Sequence, residues 1–141
     1  MFLLDVNLLI ALADADHEHH LPAHRFFKQA MRQGWATCPL TENGFIRIIG
    51  HPNYPQGTGS PETARVLLRA YLESPGHQFW PDSISLSDER ICPNLPPSKH
   101  LTDIYLLALA VHHGGRLASF DRRMNPAQVP GGAGAYYLVE P

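Results

Sequence analysis

The chain has 141 residues, 44% hydrophobic and 17% charged, a balance that suits one domain with its own core and excludes wholesale disorder. Its formal net charge of −2 excludes a protein that coats nucleic acid by bulk electrostatics, so a polyanionic substrate has to be held locally.

Phe2 to Val6 reads as a short buried strand, and an apolar helix follows it from about Asn7. This first apolar stretch carries Asp5 and Asn7 and lacks a basic leader and a small-residue cleavage site, so it is read as neither a signal peptide nor a span. Asp16 to His20 breaks the pattern before a helix around Ala23 to Arg32, which Gly34 ends. Trp35 to Cys38 is a candidate strand, and Pro39 and Thr41 open a helix carrying Phe45, Ile46, Ile48 and Ile49. A Pro/Gly-rich loop spans His51 to Ser60, and Pro61 starts a helix that runs to the stop signal Ser74-Pro75-Gly76. From Gln78 to Pro97 the signals are weak, with a strand at Gln78 to Trp80 or at Ile84 to Leu86. Thr102 to His113 is the clearest helix, apolar on nearly every side and ended by Gly114-Gly115. Arg116 to Phe120 reads as a strand that reaches Asp121, and Tyr136 to Val139 as the last strand. Strands alternating with helices in this way predict an α/β domain with a mostly parallel sheet covered on both faces. Cys38 and Cys92 form no CxxC pattern and read as reduced, packed thiols, which together with the missing leader predicts a cytoplasmic protein with no membrane association.

Four acids acquire places in this scheme. Asp5 lies near the end of the first strand and Asp121 follows a later one, while Glu42 and Asp103 lie in the first turns of two helices. In βα units the carboxyl end of a strand and the amino end of the next helix share one edge of the sheet, so the four can converge. Carboxylates packed together raise one another's pKa unless a cation neutralises them, and hard oxygen ligands suit Mg²⁺ or Mn²⁺. Each acid has a structural alternative. Glu42 and Asp103 fit the preference for acids at helix starts, and Asp121 fits a turn before Arg122-Arg123. Asp5 is hardest to explain that way, because an acid in so apolar a segment is costly unless paired or coordinating.

The segments Leu3 to Leu12, Thr37 to Arg47, Thr102 to Ala110 and Leu117 to Asp121 resemble, in order and spacing, the acidic motifs of PIN-domain ribonucleases and more closely the VapC toxins of toxin-antitoxin pairs. The resemblance covers nearly the whole chain and implies one PIN-like domain over residues 1–141, a three-layer α/β/α sandwich. It also implies a Mg²⁺ or Mn²⁺ site and metal-assisted endonucleolytic hydrolysis of RNA. By position, Asp5, Glu42, Asp103 and Asp121 are the acidic cluster, and Asn7, Thr102 and Ser119 are nearby polar positions. Asp5 and Asp103 are the leading candidate ligands and Asp121 the next, with Glu42 acting directly, through water or as a proton acceptor. Family members often carry Thr where Ser119 stands, and many carry an aromatic where this chain has Met124. A homodimer and a VapB-like antitoxin over the RNA groove are implied as partners, with Phe26, Phe27, Leu67 and Tyr71 as interface or core residues.

Neutralising the four acids moves the formal charge from −2 to +2, and Arg47, Lys99, Arg116, Arg122 and Arg123 lie close enough in sequence to the motifs to be candidate RNA contacts. His17, His19, His20 and His24 lack the accompanying pattern of a zinc site and read as an exposed helix entry facing RNA or a partner. Trp35 and Trp80 read as core or interface residues. Two other classes share parts of this pattern: a Mg²⁺-dependent phosphotransfer or phosphatase domain, whose second Asp is missing after Asp5, and a non-catalytic module of the same fold. The particular RNA is not written in the chain.

Overall fold

Residues 1–141 are described by a computed structural model in which five short strands carry the site. They are β1 (Phe2–Leu4), β2 (Trp35–Thr37), β3 (His77–Phe79), β4 (Arg116–Ser119) and β5 (Tyr136–Leu138), interleaved with helices α1 (Val6–Ala13), α2 (His20–Gln33), α3 (Pro39–Ile49), α4 (Pro61–Leu72) and α5 (Leu101–His112). The sheet order is β3-β2-β1-β4-β5, and all four pairings are parallel, so the last strand adds to the sheet in the same sense as the others.

Alternation along the buried strands divides the interior into two layers. Phe2, Leu4, Trp35 and Ala118 pack with α1 to α4, whereas Leu3, Ala36 and Leu117 pack with α5, Trp80 and Met124. The fold is therefore the three-layer α/β/α sandwich. The chain winds from β1 through β2 to β3 in one direction, then returns past β1 to form β4 and β5 in the other. Right-handed crossovers require the covering helices to change face at that reversal, and α5 does so. In open parallel sheets the reversal leaves a crevice outside the carboxyl ends of the two diverging strands, here β1 and β4.

Helix starts follow local chemistry. The Asp5 side chain caps α1, Ser60 caps α4 by accepting from the Thr63 amide, and Pro39 and Pro61 occupy first-turn positions that need no amide donor. Helix α2 begins at His20, three residues before the expected start, with the His20 ring bonded to the Ala11 carbonyl at 2.8 Å. Of the two candidate strands in the weak segment, His77–Phe79 forms β3 and Pro81 follows it. Ile84 and Leu86 pack as loop residues against the α5 side of the core. A β-carbon on Gly44 of α3 would lie 2.8 Å from a Val6 methyl, so the missing side chain lets α3 approach the start of α1 closely. Trp35 and Trp80 are core residues, as are Phe26 and Phe27, which are consequently not available to an interface. Val66 is 63% exposed on α4, although its helix otherwise packs inward through Ala64 and Leu68. No helix is long and apolar enough to cross a membrane.

Candidate active site

The β1–β4 crevice is where the acids gather. Asp5 follows β1 directly and is only 5% exposed. Its carboxylate accepts 2.7 Å hydrogen bonds from the Val6 amide and the Ser119 hydroxyl. Ser119 has one proton to give and spends it on Asp5, while its oxygen accepts from the Asn7 side-chain amide at 3.1 Å and from the Asp121 amide at 3.1 Å. A single buried hydroxyl thus ties together the ends of β1 and β4 and orients three of the expected residues.

Burial pushes the Asp5 carboxyl up, against the lowering effect of Ser119 and Val6, and the Asp121 charge adds to the rise. Asp103, in the first turn of α5, is pushed up to about 7 by its partial burial, then by the charges of Asp5 and Asp121. Asp121 moves the other way. Burial raises it, but the Arg123 amide at 2.8 Å, the Arg123 guanidinium and the facing Asp103 carboxyl together outweigh that and lower it. The two carboxyls thus shift in opposite directions, Asp103 toward the protonated form and Asp121 toward the charged one.

These are hard oxygen donors under mutual repulsion, a donor set whose chemistry fits a divalent cation. No three His, Cys, Asp or Glu side chains converge on one coordinating point in this arrangement. Asp5, Asp103 and Asp121 nonetheless sense one another's charge, and that mutual field is what the cation would relieve.

Glu42 starts the neighbouring βα unit on the same edge but is engaged separately. Thr37, fully buried at the end of β2, donates to the Glu42 carboxylate at 2.6 Å and lies 2.8 Å from Nε2 of His77. The carboxylate can only accept, so the Thr37 proton goes to Glu42 and His77 donates to Thr37. Sequence reading missed both Thr37 and His77, and also Tyr136. Tyr136 begins β5, bonds the Asp121 carbonyl, and has its hydroxyl pushed up to about 12 by burial and by Asp121, Asp5 and Asp103.

The basic candidates separate. Arg122 and Arg123 flank Asp121, with Arg123 3.4 Å from its carboxylate and Arg122 3.4 Å from Glu140. Lys99 is exposed in a short turn just before α5, and Thr102 is exposed in the first turn of that helix. Arg47 lies in the last turn of α3, beside His51 and Tyr54. Arg116 must be removed from the set. It opens β4 at the amino edge of the sheet, opposite the acids, and its guanidinium covers the Phe2 and Tyr137 rings at 4.8 and 5.1 Å. Met124 is buried against the α5 layer, so the missing aromatic is replaced by another apolar filler.

Acids at the switch point of an open parallel sheet stand where folds of this class bind their ligands. The PIN domain model matches residues 2–129. Ribonuclease VapC44 of Mycobacterium tuberculosis is 40% identical over 131 residues, 92% of each chain. Ribonuclease VapC39 of the same organism is 43% identical over 121 residues, 84% of this chain and 87% of that one. Ribonuclease VapC38 is 43% identical over 122 residues. The chain belongs to the PIN-domain family, in its VapC branch.

Proposed function

We propose that this chain is a Mg²⁺- or Mn²⁺-dependent endoribonuclease that acts as the toxin of a toxin-antitoxin pair. The observation that supports the reading is that Asp5, Asp103 and Asp121, from separate elements, lie at the β1–β4 crevice within reach of one another's charge, which pushes the Asp5 and Asp103 carboxyls up. The relatives named as ribonucleases support RNA as substrate.

Asp5, Asp103 and Asp121 are the proposed ligands. When bound, a divalent cation supplies Lewis acidity that activates water and offsets charge developing on the phosphodiester. Ser119 holds Asp5 in place, and Asn7 holds Ser119. Glu42, steadied by Thr37, is the candidate proton acceptor, and the exposed Arg122, Arg123 and Lys99 are the candidate contacts to the RNA backbone. A single-stranded or looped RNA suits the site, since a splayed strand can bring one phosphate to the acids.

A VapB-like antitoxin and a second copy of the chain are the proposed protein partners, in the cytoplasm. Leu21 on α2 and Val66 on α4, 68% and 63% exposed, leave apolar surface that supports contacts there. The test is mapping of RNA ends after incubation of total RNA with the purified chain, with Mg²⁺ or Mn²⁺ and with chelator. New internal ends are expected only with the cation. Ends that persist in chelator, or in the Asp5→Asn variant, contradict the reading.

A further inference from the structure

Beside the acids opens a cleft of about 510 Å³, within the range of small-molecule sites, lined by Asn7, His17, His19, Phe120, Asp121 and Arg122. Its floor is built. The His19 ring stacks on Phe120 with centroids 4.8 Å apart and planes 27° from parallel. The loop that presents His19 is tied down by the Asp14 carboxylate accepting from the Asp16 amide at 2.9 Å, and by the His17 ring accepting from the His19 amide at 3.0 Å. His19 stands at the start of α2 yet makes no side-chain cap there, and its only ionic contact is with the exposed Glu18 at 3.5 Å. An aromatic plane 30% exposed is thus held in a fixed orientation with no structural bond that needs it.

We propose that this cleft is a nucleobase subsite in which the base next to the scissile phosphate stacks on His19 and extends the His19–Phe120 pair by one ring. The inference rests on the RNA-cleaving reading. Phe120 directly precedes Asp121, so the stack and the acid cluster sit on consecutive residues and a base held by one places its own phosphate near the other. Arg122 and Arg123 are exposed guanidinium groups that reach Glu140 and Asp121 only at 3.4 Å, contacts long enough to be exchanged for phosphate oxygens. Stacking suits an unpaired base, since every base offers a π-face, and Glu18 and His17 at the rim add hydrogen-bonding groups able to read its edge.

The test uses single-stranded RNA carrying one 2-aminopurine, moved through successive positions and titrated with the Asp103→Asn protein in Mg²⁺. One position is expected to be quenched on binding, with the quench lost in an added His19→Ala change and kept in His19→Tyr. In the otherwise unaltered protein, His19→Ala should lower kcat/KM for intact RNA by roughly 5- to 150-fold, the fold-change that corresponds to a stacking worth of about 1–3 kcal/mol. It should leave kcat/KM unchanged for RNA made abasic at that nucleotide. Quenching at no position, or quenching indifferent to His19→Ala, overturns the subsite. If the unaltered protein cleaves RNA and His19→Ala cleaves it equally well, the subsite fails while the nuclease stands. If the unaltered protein cleaves nothing, the nuclease reading fails and the fluorescence titration alone decides the subsite.

Discussion

Ser119 donates a 2.7 Å hydrogen bond to Asp5 across 114 positions of chain, joining the carboxyl ends of two adjacent parallel strands. The hydroxyl also receives the amides of Asn7 and Asp121, so it is the point through which β4 and α1 hold the acid in one orientation.

Replacing Ser119 with Ala leaves a buried carboxylate short of its strongest side-chain donor. RNA cleavage is expected to fall about 10- to 100-fold, the usual cost of losing a group that orients a metal ligand. Ser119→Thr keeps the hydroxyl and should restore most of the rate. Steady-state cleavage of one oligoribonucleotide by the three proteins checks this, and equal rates would remove Ser119 from the site.

Asp103 makes the cation-free protein pH-sensitive. Its carboxyl titrates near 7 when folded and near 3.8 when unfolded, so the folded state binds the proton more tightly. Stability from this group is therefore fully present below about 3.8 and is lost progressively as the pH rises from there through about 7. Because the side chain is partly solvated, the cost at pH 8 is taken as about 1–2 kcal/mol, below the full shift. Asp103→Asn should accordingly raise the Tm in chelator most at pH 8, by clearly less at pH 5, and little at pH 3. A Tm gain of the same size at all three pH values would place the effect elsewhere.

Thr37 links Glu42 to His77 from a fully buried position. Thr37→Val removes the hydroxyl but keeps the shape, leaving a ring nitrogen without an acceptor and a carboxylate without its donor. A loss of about 1–3 kcal/mol in denaturant unfolding is expected, with Thr37→Ser close to the native protein.

Gly44 lets α3 pack closely against the start of α1. A methyl there gains about 1 kcal/mol of helix propensity but meets the Val6 side chain, whose β-branched rotamer in a helix has little freedom to turn away. Overpacking at about 1–3 kcal/mol should win, so Gly44→Ala lowers the Tm. Adding Val6→Ala should recover the loss, and a double-mutant cycle without coupling would contradict the contact.

The acids were legible because each sits where a strand ends or a helix begins, positions that local patterning marks. The partners that hold them were not. Ser119 entered by resemblance, and Thr37, His77 and Tyr136 act through contacts across the sheet, such as the 40 positions between Thr37 and His77. No periodicity encodes such pairs. Arg116 misled for a related reason. It is three residues from Ser119, but a strand rises about 3.3 Å per residue, so those three steps carry it roughly 10 Å toward the opposite edge. Closeness in sequence measures distance along a strand, not membership of an edge. The segment after Gly76 read weakly because β3 is a three-residue edge strand with two exposed positions, too short and too polar to show an alternation.

On the proposed reading, Asp5, Asp103 and Asp121 act together through one divalent-cation site. Calorimetric titration of Mn²⁺ into the unaltered protein and into Asp5→Asn and Asp103→Asn, paired with cleavage of a single-stranded RNA, tests it most directly. Binding should be measurable in the first and lost or weakened at least 10-fold in both variants, with cleavage lost in step. Undiminished Mn²⁺ affinity, or cleavage that survives in both variants, would contradict the account.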